Sequence, residues 1–184
     1  MNRVKAACLL FICWMLVSCG ASRKTNSSTS VNIHELKSTV VIKKKQPFRT
    51  INVKAVSPAD LVAFAQTLLA VPYRYGSLKK ENGFDCSGFI NYVFNYFKIS
   101  VPRSSVEFTN AGREVKPADS KPGDLILFTG SNADSGEVGH MGIVTENRKN
   151  QFTFIHASSS KGVILSGLSP YFTLRLVKVI RIFP

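Results

Sequence analysis

The sequence predicts an α+β domain, with helices packed on an antiparallel sheet. Two apolar stripes at helical spacing come first: Leu61, Phe64, Ala65 and Leu68, then Phe89, Ile90, Val93, Phe94 and Phe97. Five short apolar runs bounded by turn residues follow, at 125–128, 141–145, 152–156, 163–165 and 174–182. Helices followed by a run of strands are the signature of this class. The 184 residues suffice for one domain behind a leader, and 45% hydrophobic with 19% charged residues is an ordinary globular composition.

The leader is read from residues 1–18. Asn2, Arg3 and Lys5 form a positive head, and Ala6 to Leu16 are uninterruptedly apolar. Eleven residues are too few for a membrane-crossing helix, which needs about 20, and suit the apolar region of an export signal. Leu16-Val17-Ser18-Cys19-Gly20 resembles a bacterial lipobox, which implies cleavage before Cys19, lipidation of its thiol, and membrane attachment through that anchor. Gly20, rather than an aspartate, after Cys19 favours the outer membrane, facing the periplasm.

Cys8 and Cys13 leave with the signal, so Cys86 is the one thiol expected in the exported domain. A single thiol in an oxidising compartment is a liability unless buried or used. Of the net charge of +13, residues 19–57 carry eight Lys/Arg against one acid, Glu35, while residues 58–184 carry fourteen against ten. The basic character therefore belongs to a polar linker over 19–57. It is read either as a contact to anionic head groups or wall polymers, or as a plain solvated spacer. Nucleic acid is not an expected partner of an exported lipoprotein.

The folded domain, 58–184, is expected to open at Ser57-Pro58-Ala59-Asp60, where serine caps and proline fits the first turn of a helix over 58–70. A loop through Pro72-Tyr73-Arg74-Tyr75-Gly76 reaches Asn82-Gly83, and a second helix begins at Asp85 or Cys86 and runs to about residue 97. Lys121-Pro122-Gly123-Asp124 is the turn feeding the first strand, and 174–182 reads as one strand. Residues 40–42 and 51–53 are candidates for an added edge strand.

Cys86 stands where a strongly amphipathic helix starts, a position that lowers a thiol pKa, with Gly88 leaving room for close approach. Of the three histidines, His34 falls in the linker. His140 opens one predicted strand and His156 closes the next. If those strands pair around Arg148-Lys149-Asn150, both imidazoles reach one end of the sheet, a geometry that suits a base oriented by a third polar group. Spacing alone leaves open two unrelated histidines at strand ends, and a cysteine that is only a small buried hydrophobe.

Phe84-Asp85-Cys86-Ser87-Gly88-Phe89 resembles the nucleophile motif of the NlpC/P60 cell-wall peptidases. Pro72-Tyr73-Arg74-Tyr75-Gly76, Val101-Pro102-Arg103-Ser104-Ser105, Pro122-Gly123-Asp124-Leu125, Gly139-His140-Met141-Gly142-Ile143 and Ile155-His156-Ala157-Ser158 resemble further blocks of that family, in order. The resemblance implies a papain-like fold in which Cys86 is the nucleophile, His140 the general base and later acid, and His156 the residue orienting His140. It implies that Tyr73 helps hold the oxyanion, Tyr75 being the alternative by position alone. Asp85 and Ser87 match positions that contact a free substrate amine in some members, though Asp85 is equally a helix cap. Arg103 is the remaining substrate-side candidate, with a structural role as its alternative.

The implied function is a peptidoglycan endopeptidase acting on stem peptides or their cross-links through a thioacyl-enzyme, with no metal or cofactor. The alternatives are an amidase on the muramoyl–alanine bond and a wall-peptide-binding lipoprotein without catalysis.

Overall fold

In the computed structural model, which describes residues 51–53, 56–149 and 151–184, the first helix starts where the sequence predicts. Helix α1 spans Pro58–Gln66, and the Ser57 hydroxyl accepts from the Asp60 N–H at 3.1 Å. It ends four residues earlier than expected. The Thr67 hydroxyl donates back to the Phe64 carbonyl, and Ala70 takes a left-handed conformation (φ 67°) with its N–H on the Val163 carbonyl at 2.9 Å. Pro72 disfavours helical backbone in the residue before it, so the chain leaves the helix for the edge of the sheet.

Two short strands not foreseen from the sequence, β1 (Leu78–Lys79) and β2 (Gly83–Phe84), form a small antiparallel hairpin. It leads into helix α2 (Cys86–Tyr96), with Asp85 as N-cap: its carboxylate accepts from the Gly88 N–H. A Cβ on Gly88 would collide with the Ser77 carbonyl oxygen, so glycine is what lets the chain entering β1 lie over the first turn. The predicted stripe is the buried face of α2. Phe89, Ile90, Val93 and Phe94 are fully enclosed, each burial contributing about 1.5–3 kcal/mol. Phe97 is the C-cap and meets the Phe64 ring edge-on.

The remaining elements are β3 (Arg113–Val115), β4 (Leu125–Thr129), β5 (Val138–Arg148), β6 (Gln151–Ser158), β7 (Gly162–Gly167), a short helix α3 (Pro170–Arg175) and β8 (Leu176–Arg181). The strands form one six-stranded antiparallel sheet in the order β3-β8-β4-β5-β6-β7. β4 is central and every one of its residues is buried. Leu125 and Leu127 join the core under the helices, while Ile126 and Phe128 join a second core with Val144, Phe154, Val179 and Phe172 of α3. Burial on both faces explains why this strand reads as a continuous apolar run.

Two further expectations change, and one more strand was not foreseen. The run at 174–182 is not one strand: Pro170 at the first turn starts α3, and β8 begins only at Leu176. β3 went unseen because three residues with the pattern Arg-Glu-Val carry no periodic signal. Residues 51–53 do not add a strand; Ile51 and Val53 pack into the core instead, so that core draws on residues ahead of Pro58. The leader, Cys19, His34 and the candidate strand at 40–42 lie outside the described residues.

The turn at Lys121-Pro122-Gly123-Asp124 is locked from β8. Arg181 makes two hydrogen bonds to the enclosed Asp124 carboxylate, at 3.0 and 2.8 Å, and Asp124 also accepts from the Lys121 N–H at 2.7 Å. These bonds hold the Arg181 pKa above its ordinary value. That block of the sequence positions the entry to β4.

Candidate active site

Cys86 is the first residue of α2 and is half-buried, and its thiol points at the Gly139 carbonyl oxygen 3.8 Å away, at the start of β5. The helix terminus does not lower its pKa as expected. Burial, and then the negative charge of Asp85, push the thiol up to about 11. The Ser87 and Cys86 backbone N–H groups and the Arg103 charge pull the other way without winning. The physical reason is enclosure first, which disfavours the charged thiolate, and the cap second, since the residue that satisfies the helix terminus is a carboxylate next to the sulfur.

The two histidines meet. In the β5–β6 register Ile143 faces Ile155, which sets Gly142 across from His156 and His140 on the diagonal. His140 Nε2 lies 2.8 Å from His156 Nδ1, with the rings edge-on at 85°. Gly142 makes room for this, since a Cβ there would sit 2.8 Å from the Ile155 carbonyl oxygen and 3.1 Å from the His156 Cβ. His156 Nε2 in turn lies 2.9 Å from Ser166 Oγ on β7. Phe128 stacks against His140, and Phe154 and Phe172 enclose His156. Burial drives His140 down to about 4. Burial and then the neighbouring His140 drive His156 down to about 3. Both imidazoles are therefore neutral at pH 7.

Cys86, His140 and His156 line one cavity of about 610 Å³, within the range of ligand sites, together with Tyr73, Tyr75 and Phe128. Tyr73 is held by an isolated bridge to Phe84, and burial, followed by the charges of Cys86 and Asp85, raises its pKa, so the phenol stays protonated. Tyr75 reaches the same cavity but is 89% exposed.

Asp85, Ser87 and Arg103 come together elsewhere and do not line that cavity. Arg103 Nη2 lies 2.9 Å from Asp85 Oδ2, and Nη1 donates to Ser87 Oγ at 2.9 Å. The Asp85 carboxylate also accepts from the Gly76 N–H at 2.9 Å and from the Ser87 hydroxyl at 3.3 Å. The three side chains tie the segment ahead of β1, the helix terminus and the segment after α2 to one another. Among the described residues no group of three or more His, Cys, Asp or Glu side chains could hold a metal ion.

Ser166, Gly142 and Arg175, which also lines the cavity, were not foreseen as site residues. Ser166 carries only the signal of a hydroxyl at alternate spacing from apolar Ile164, which marks a face of β7 but not what that face meets.

Comparison with known proteins agrees with this geometry. The NlpC/P60 family matches this chain over residues 70–181. The murein DD-endopeptidase MepS/murein LD-carboxypeptidase of Escherichia coli (strain K12) is 39% identical over 108 residues, covering 57% of this chain and 52% of that protein. The gamma-DL-glutamyl hydrolase of Bacillus subtilis (strain 168) is 36% identical over 116 residues, 62% of this chain and 27% of that one. Matches thus span from about a quarter to two thirds of these curated relatives' lengths. Among solved structures, an NlpC/P60 family protein from Bacillus cereus ATCC 10987 superposes with a TM-score of 0.63 at 25% identity over 72% of this chain and 42% of that one. The NlpC/p60 domain of the peptidoglycan hydrolase SagA superposes with 0.56 at 28% identity over 68% of this chain and 99% of that one. With its antiparallel sheet, its cysteine at a helix start and its paired histidines in one cavity, the chain belongs to the NlpC/P60 family.

Proposed function

We propose that this protein is a peptidoglycan endopeptidase, a cysteine hydrolase that cuts amide bonds of wall stem peptides or their cross-links. The observation that carries the reading is the single cavity that holds the Cys86 thiol, the His140–His156 pair and the Tyr73 phenol. Relatives named as a murein endopeptidase and a glutamyl hydrolase support the substrate class.

In this reading Cys86 and His140 start as a neutral pair. His140 Nε2 is committed to His156, which leaves Nδ1 for the thiol proton. Sulfur attacks the amide carbon as that proton moves to Nδ1. The oxyanion takes hydrogen bonds from the Tyr73 hydroxyl and a backbone N–H at the cysteine. The imidazolium then gives its proton to the departing amine, leaving a thioacyl-enzyme. Water, deprotonated by His140, releases the acid and restores the thiol. Transfer to Nδ1 requires that Nε2 carry hydrogen and donate to His156 Nδ1. His156 then carries its hydrogen on Nε2 and donates to Ser166 Oγ.

The lipobox supports an exported lipoprotein attached through Cys19, on the outer membrane facing the periplasm, with a basic linker over 19–57. A Cys19→Ala chain should leave the membrane fraction, and continued partition with membranes would sink the anchor. Asp85, Ser87 and Arg103 are given a structural role, since their polar atoms already satisfy one another.

The test is digestion of purified peptidoglycan by the full-length chain beside its Cys86→Ala variant, with muropeptides read by mass spectrometry. Loss of cross-linked dimers with the intact cysteine alone is the expected result. Cleavage by both proteins, or by neither, rejects it. Free glycan strands stripped of whole peptides would instead point to an amidase.

A further inference from the structure

Among the described residues, two buried side-chain polar atoms have no hydrogen-bond partner, Thr129 Oγ1 and Arg175 Nε. Both residues line the active-site cavity. The sheet brings them to the same place: Phe128 on β4 faces Leu176 on β8, so the next step along the antiparallel pair carries Thr129 toward Arg175. Thr129 is only 4% exposed, and burying a hydroxyl or guanidinium N–H without a partner is costly. Two partnerless donors on residues of the same cavity wall mark a place where an acceptor would satisfy them.

Arg175 is also the only charged side chain among the described residues of the cavity wall, the imidazoles being neutral there, and no carboxylate of the described residues pairs with it. Its guanidinium lies over the Tyr171 ring, 3.9 Å from the centroid, with Nη1 donating to the Tyr171 carbonyl oxygen at 3.3 Å. Stacking fixes the guanidinium plane by its face, and with Nη1 bonded to the Tyr171 carbonyl the enclosed Nε donor is the one left without an acceptor.

We propose that Arg175 and Thr129 form an anion subsite that takes a carboxylate of the peptide substrate beside the Cys86 thiol. It rests on the peptide-hydrolase reading and deepens it, making the charge state of the wall peptide a determinant of which peptides are cut. A carboxylate accepts from both donors, whereas the corresponding carboxamide lacks the charge and presents an NH₂ group to one of them. The subsite therefore rejects amidated stem peptides.

Calorimetric titration of the full-length Cys86→Ser chain tests this, since it reads binding without turnover. The probes are a synthetic stem tetrapeptide with free carboxylates and the same peptide with its carboxylates converted to carboxamides. The acid form should bind at least about tenfold tighter, the scale of a charge-assisted hydrogen bond. Adding Arg175→Gln should bring the two forms together, and Thr129→Val, which keeps the side-chain shape, should shrink the ratio less. Equal binding of the two forms, no binding of either, or a ratio unchanged by Arg175→Gln in a chain that still melts cooperatively overturns the subsite. Should Arg175→Gln not fold, Thr129→Val and the two-peptide comparison still decide the matter. Peptidoglycan digestion by the intact-cysteine chain is scored separately, so loss of the subsite and loss of the peptidase reading are told apart.

Discussion

His140 Nε2 lies 2.8 Å from His156 Nδ1, and His156 Nε2 lies 2.9 Å from Ser166 Oγ, so a hydrogen-bonded chain runs across three adjacent strands, from β5 through β6 to β7. Its polarity decides which nitrogen of His140 is free to act on the thiol. Ser166 is a positioning residue in this scheme, touching neither sulfur nor substrate. Ser166→Ala should lower kcat about three- to tenfold with KM unchanged, the net worth of one neutral hydrogen bond. Ser166→Thr, which keeps the hydroxyl, should restore most of the loss. Equal activity of the alanine and threonine variants would show that the hydroxyl does not matter.

The thiol is the second test. With Cys86 pushed to about 11, the free protein carries little thiolate at neutral pH. Alkylation of the free protein by iodoacetamide should therefore speed up by about tenfold per pH unit from pH 6 to 9, because only the thiolate reacts. A rate that is already flat across that range would mean a preformed thiolate–imidazolium pair, contrary to the neutral pair described above.

Stability should respond to acid through the histidines. Their ordinary value is 6.5, and in the folded protein they stand at about 4 and 3, so the unfolded chain binds protons first. The stability they contribute is complete above about pH 6.5 and drains away as pH falls toward 4 and 3. Urea midpoints measured from pH 7.5 to 4.5 should decline, and His156→Gln should flatten the decline. The two rings titrate as a pair, so their protons go on in two steps that belong to the pair and not to either ring. A midpoint that holds constant to pH 4.5 contradicts the neutral, buried pair.

Tyr73 and Tyr75 separate cleanly. Removing an oxyanion donor costs roughly 2.7–4 kcal/mol, about a hundred- to thousandfold in kcat, and Tyr73→Phe should lose on that scale. Tyr75→Phe, at a side chain almost wholly in solvent, should change kcat less than threefold. The reverse ranking would move the oxyanion role to Tyr75.

The Asp124–Arg181 pair is predicted to matter for folding alone. Asp124→Ala strands the half-buried Arg181 guanidinium and should cost about 3–5 kcal/mol, read as a lowered melting temperature. Turnover per folded molecule at low temperature should stay near wild type. Lost turnover in a stably folded variant would place Asp124 in the chemistry.

Local sequence was enough for the elements whose signal is local. Ser57-Pro58 starts a helix because serine can cap and proline needs no donor there, and Phe89 to Phe94 mark the buried face of α2 by spacing alone. Cys86 at a helix start and His140 and His156 on neighbouring strands were legible for the same reason, as was the α+β class. The tertiary structure decided what depends on register, burial and field. The β5–β6 pairing sets the two rings 2.8 Å apart, and the β6–β7 pairing recruits Ser166. The β4–β8 pairing turns Thr129 and Arg175 toward one cavity, although half of that pair falls in a stretch that reads as strand. The thiol shows the division most clearly. A helix terminus argues for a lowered pKa, yet enclosure and the Asp85 carboxylate raise it, because solvation and charge are summed over everything near the sulfur and not over its neighbours in sequence.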